Sequence, residues 1–142
     1  EVAIDDKHSF YTDANFATNY SKVYNRVKKV ADGLKFKLIQ GYFSETLREG
    51  PERLGIKKSR IIFIDSDTYS SAKDALNFCN NLIQEGTYII LDDYFSYKGS
   101  FEKGVARAFK EFIQTNNVET REVFTYGMGG KVFVISKINY QN

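Results

Sequence analysis

A chain of 142 residues, 42% hydrophobic and 27% charged, is one domain at most and carries enough apolar side chains to fold, which excludes intrinsic disorder. A net charge of +2 gives no basis for a nucleic-acid groove or a membrane surface, and one cysteine with one histidine excludes a disulfide framework and a Cys/His zinc site. Its longest apolar runs, such as 61–64 and 88–91, are four residues, far too short to span a bilayer, and no secretory signal opens it. These features predict a soluble, cytoplasmic protein without nucleic-acid or membrane partners.

In chain order, the first fifteen residues are polar and without periodicity, which predicts a loop or frayed end. From Phe16, the residues Tyr20, Val23, Tyr24, Val27, Val30 and Ala31 form one helical stripe, with Thr18 or Asn15 as cap and Gly33 as terminator. Leu34 to Ile39 reads as a short strand, and Glu45 to Leu54 as a short helix. Arg60 to Ile64 is a continuous apolar strand of the kind buried on both faces of a parallel sheet. Ser70 or Ser71 caps a helix with Ala72, Ala75, Leu76, Cys79, Leu82 and Ile83 inward, closed by Gly86. Thr87 to Leu91 is a second buried strand, and Phe101 to Ile113 a further amphipathic helix. Glu122 to Tyr126 and Lys131 to Ser136 flank Gly127-Met128-Gly129-Gly130 as a β-hairpin. The pattern is α/β, with two parallel central strands, helices on the sheet faces and an antiparallel hairpin at the edge.

Both central strands end in acid. The first runs into Asp65-Ser66-Asp67 and the second into Asp92-Asp93. Parallel strands bring their carboxyl ends to one edge, where ligands bind, and neighbouring strands lie about 4.8 Å apart. Converging carboxylates repel one another unless a cation sits between them, and an oxygen-only set favours a hard ion: Mg²⁺, with Mn²⁺ or Ca²⁺ as alternatives. The competing reading makes these acids helix caps or solvated turn residues. For Asp67 the two readings stand open. There is no G-x-G-x-x-G and no G-x-x-x-x-G-K-[ST], so neither phosphate-cradling loop lies within these residues.

Three segments, GYFSETL (41–47), IIFIDSDTYSSAKDAL (61–76) and EGTYIILDDYFSYKGSFEKGVARAFKEF (85–112), resemble in order and spacing the macrocin O-methyltransferase family of class I, S-adenosylmethionine-dependent enzymes. The resemblance covers roughly residues 8 to 136 and departs at Glu85, where the family carries the first glycine of a pair. It implies a Rossmann-like, mostly parallel sheet with a carboxyl-terminal antiparallel hairpin. It implies Mg²⁺ held by Asp65, Asp92 and Asp93, with Asp65 also a candidate base, and adenine of the cofactor beside Gly41, Tyr42, Phe43 and Ser44. It further implies that residues 1–142 are the carboxyl-terminal part of the methyltransferase domain, without the first strands that bind the methionine and ribose of the cofactor. The implied reaction of the complete enzyme is methyl transfer to a hydroxyl of a sugar or natural product. The open strand edges such a sheet would carry predict a homo-oligomer.

Other residues carry weaker signals. His8 reads as a base near the substrate edge or as a solvated loop residue, Cys79 as a small core residue, and Met128 as part of a glycine turn. Tyr94, Phe95 and Tyr97 are candidates to line an acceptor pocket. Two functions from other classes compete. One is a non-catalytic α/β fragment or assembly module. The other is a phosphorelay receiver, in which the acidic pair follows the first strand, the reverse of the order here.

Overall fold

The computed structural model describes residues 18–139. His8, the amino-terminal loop and the first residues expected of the opening helix lie outside them.

The opening helix, α1 (Tyr20–Val30), starts at Asn19, whose side chain accepts the Ser21 N–H at 2.9 Å. Lys28 and Lys29 stand in its last turn, where cations suit the helix dipole. None of its residues is buried. Its apolar stripe is spent locally: the Tyr20 and Tyr24 rings stack at 6.1 Å, and Tyr24 meets Phe36 at 5.6 Å. Leu34 to Ile39 forms no strand, contrary to expectation. A strand is held by a hydrogen-bonded neighbour, and none of the described strands pairs with this segment. The expected helix at 45–54 is two short pieces, α2 (Phe43–Thr46) and a 3₁₀ turn at Pro51–Leu54, because Gly50 between them takes φ 74°.

The remainder is one layer of helix on one sheet. The strands β1 (Ile61–Ile64), β2 (Tyr88–Leu91), β3 (Val118–Tyr126) and β4 (Gly130–Ile138) form a four-stranded sheet of order β1-β2-β4-β3. β1 and β2 pair in parallel, and β4 runs against both β2 and β3, so three of the four strands point the same way. The hairpin is longer than its apolar residues predict, because its ladder continues to Val118 opposite Ile138 and includes two bulges.

Two helices cover one face. α3 (Tyr69–Cys79) begins at Thr68 rather than at Ser70 or Ser71: Thr68 is extended and its Oγ1 accepts the Ser71 N–H. It yields to a 3₁₀ turn at Asn80–Leu82 well before Gly86, and the Lys58 ammonium donates to the carbonyls of Asn81 and Ile83 there. α4 (Gly104–Thr115) starts three residues later than expected, where Gly104 takes φ 55° beneath the ring of Tyr97. Ala72 and Leu76 of α3 and Val105 and Phe109 of α4 meet Ile62, Ile64, Ile89, Leu91, Phe133 and Ile135 in a single core. Phe109 lies 4.5 Å from Phe133, ring centre to ring centre. Cys79 belongs to the core as expected, and burial pushes its thiol up to about 11.

The other face differs from expectation. Ile61 and Phe63 are 65% and 56% exposed, so β1 is buried on one side only. Strand side chains alternate between faces; α3 and α4 both take the face of Ile62 and Ile64, and among the described residues no element covers Ile61 and Phe63. Among the described strands β1 is also a sheet edge, paired with β2 alone. Among the described residues no helix is long and apolar enough to cross a membrane.

Candidate functional site

The carboxyl ends of β1 and β2 are tied together by the Asp92 N–H, which donates to the Ile64 carbonyl at 2.9 Å. That bond sets the Asp65 turn beside the Asp92-Asp93 turn. Each turn then folds back sharply. Thr68 N–H reaches the Ser66 carbonyl, and Asp67 takes φ 57°. On the other side Asp93 takes φ 54°, and Ser96 closes on it twice, through its N–H to the Asp93 carbonyl at 3.1 Å and its hydroxyl to Oδ1 at 2.6 Å.

The result is a carboxylate cluster. Oxygens of Asp65, Asp67 and Asp93 lie within 4.8 Å of one another. Burial first, then the charges of Asp92 and Asp93, holds the Asp65 carboxyl above the ordinary carboxylate range. Asp67 is pushed up to about 7, by burial first and then by a hydrogen bond to Asp93 and the surrounding carboxylates. Without a cation, these acids therefore relieve their repulsion by retaining a proton. Among the described residues the donor set is entirely carboxylate oxygen, which fits Mg²⁺ or another hard divalent ion.

Asp92 stands beside this group, with its Oδ1 accepting the Tyr126 hydroxyl at 2.8 Å. Sequence reasoning named Asp65, Asp92 and Asp93. The structure brings Asp65 and Asp93 together with Asp67, the acid it had left open between cap and ligand. Thr68, not Asp67, supplies the side-chain cap of α3. Tyr126 was missed altogether, and no local signal identifies it, since it reaches Asp92 across 34 residues of sequence.

Gly41 to Ser44 lead into α2. A Cβ at Gly41, where φ is 140°, would fall 2.6 Å from Cγ2 of Thr46. Tyr42 is 74% exposed. Phe43 and Ser44 line a groove of about 310 Å³ with Arg48, Asp74 and Asn77, and none of the four aspartates lines it. Tyr94, a candidate for an acceptor pocket, is instead buried against Phe95 and Phe133. The Lys131 ammonium lies 5.3 Å from the Tyr94 ring centre, and it pairs with Glu122 at 2.5 Å. Tyr97 packs over Gly104.

Comparison with known proteins decides the family. The model of the Macrocin-O-methyltransferase (TylF) family matches residues 6–125. The chain belongs to that family. Among solved structures, the O-methyltransferase NovP superposes with a TM-score of 0.67 at 21% identity, over 85% of this chain and 46% of that one. A Klebsiella pneumoniae protein described as an O-methyltransferase does so with a TM-score of 0.53 at 18% identity, over 82% of this chain and 57% of that one. These likenesses establish the fold, a mixed α/β sheet of the methyltransferase type. The chain thus spans roughly half the length of the structures it matches. No curated protein matches it.

Proposed function

We propose that this chain is part of an S-adenosylmethionine-dependent, Mg²⁺-assisted O-methyltransferase whose acceptor is a hydroxyl of a sugar or natural product. The observation that carries this reading is the convergence of carboxylates at the carboxyl edge of β1 and β2, in a member of an O-methyltransferase family. Asp65, Asp92 and Asp93 would hold the ion by family resemblance; of these, Asp65 and Asp93 lie in the converging group, where Asp67 is the third carboxylate and Asp92 stands beside it. A bound Mg²⁺ supplies Lewis acidity that lowers the pKa of an acceptor hydroxyl. Asp65 would accept the acceptor's proton. Gly41 to Ser44 would hold the adenine, with the exposed Tyr42 ring as a surface it could stack on. S-adenosylmethionine, when bound, would supply an electrophilic sulfonium methyl to the hydroxyl oxygen, with S-adenosylhomocysteine as the other product. Much of the rate then comes from alignment of the two reactants.

The test is transfer of labelled methyl from S-adenosylmethionine to a panel of glycosides by the complete enzyme, with Mg²⁺ and with EDTA. Transfer should require the metal and fall at least a hundredfold in Asp93→Asn with the fold intact. Transfer that survives both EDTA and Asp93→Asn would overturn the metal-assisted reading. Among the described residues no strand pairs with the outer edge of β1, which supports self-association. Light scattering should then find a species larger than the 16.3 kDa chain, and a stable monomer would contradict it.

A further inference from the structure

The tip of the β3–β4 hairpin is built against the acidic turn. Besides the Tyr126 hydroxyl on Asp92 Oδ1, the Phe95 N–H donates to the Gly129 carbonyl at 3.0 Å. Gly129 packs against the same turn: a Cβ there would lie 3.5 Å from the Asp93 Cα, in ordinary van der Waals contact. The Tyr126 ring is seated on Gly130, where any side chain would collide with it. A hydroxyl on a rigid strand end, with its ring clamped by a glycine, fixes the position of whatever it donates to.

We infer that Tyr126 is a positioning residue for the cation site: it fixes Asp92 by one carboxylate oxygen and leaves Oδ2 to serve the ion. The inference rests on the metal-assisted reading above. Its physical basis is general, since a ligating carboxylate is oriented by hydrogen bonds from residues that do not themselves touch the metal, and losing such a bond typically weakens metal binding about 10- to 100-fold. Here the partner is a phenol hydroxyl, which donates one hydrogen bond to the carboxylate and brings no charge of its own.

The test uses Mn²⁺ as probe, with its affinity for the protein read by electron paramagnetic resonance. Four forms are compared: the natural protein, Tyr126→Phe, Asp92→Asn and the double variant. Tyr126→Phe keeps the ring on Gly130 and removes only the donor, and a thermal melt of each form verifies the fold. We expect Tyr126→Phe to weaken Mn²⁺ about tenfold and to add nothing in the Asp92→Asn background, because its effect passes through Asp92. If Tyr126→Phe binds Mn²⁺ as the natural protein does, or weakens it equally with and without Asp92, the positioning role is overturned and the metal site stands. If the folded natural protein binds no Mn²⁺, the metal-assisted reading falls and the positioning role falls with it.

Discussion

Residues 18–59 and residues 60–139 obey the same local rules and reach opposite outcomes. Both contain an amphipathic helix with a proper amino-terminal cap: Asn19 for α1 and Thr68 for α3. Yet in the first region only Pro51 is buried, while α3 alone buries Ala72, Ala75, Leu76 and Cys79. An apolar stripe specifies a helix; it does not supply the surface the helix packs on. α3 and α4 have that surface in β1, β2 and β4. Among the described residues α1 has ring contacts among Tyr20, Tyr24 and Phe36, and none of its residues is buried. The two regions should accordingly differ in energy far more than in pattern.

The largest effect should come from Phe109→Ala, which opens a hole between α4 and the sheet where Phe109 meets Phe133. A loss of about 3–5 kcal/mol is expected in denaturant unfolding. A loss near zero would mean that the helix layer is no better anchored than α1. Next comes Gly104→Ala. It combines a left-handed φ of 55° with a collision against the Tyr97 ring, and roughly 1–3 kcal/mol should go in the same assay. Tyr69→Phe is smaller. It removes a hydroxyl that donates to Glu111 at 2.7 Å and accepts from Lys73 at 2.9 Å, across the α3–α4 seam. About 1 kcal/mol is expected, and less if solvent screens the half-exposed pair. The smallest change belongs to the first region. Val30 is 86% exposed, so Val30→Ala should shift stability by no more than about 0.5 kcal/mol. A multi-kcal loss there would show that α1 is packed against something in solution, and the contrast between the regions would collapse.

The same contrast explains what could be read in advance. β1, α3, β2, α4 and the hairpin follow from apolar runs and helical spacing, because each finds its partner among its neighbours in the chain. Leu34 to Ile39 has the composition of a strand, but a strand depends on a pairing that composition does not contain. The two-sided burial expected of Ile61 and Phe63 failed for a related reason: an apolar residue records a preference for burial, not the presence of a cover. At the site, two acids after each strand were legible because parallel strands bring their carboxyl ends together. Which carboxylates converge was decided by backbone turns at Asp67 and Asp93, and the Tyr126 link by a hairpin register that no local pattern encodes.

Those two turns carry one more consequence. Asp67 and Asp93 both hold the left-handed conformation, at φ 57° and 54°, which side chains other than Asn, Asp and Gly adopt only at a cost. The backbone therefore narrows the residues these positions accept before any chemistry does. Asparagine keeps the turn and discards the charge, whereas alanine discards both at once. Drift at these positions would thus run first toward asparagine and glycine, and a relative carrying either could keep the shape of the acidic rim after losing its affinity for a cation.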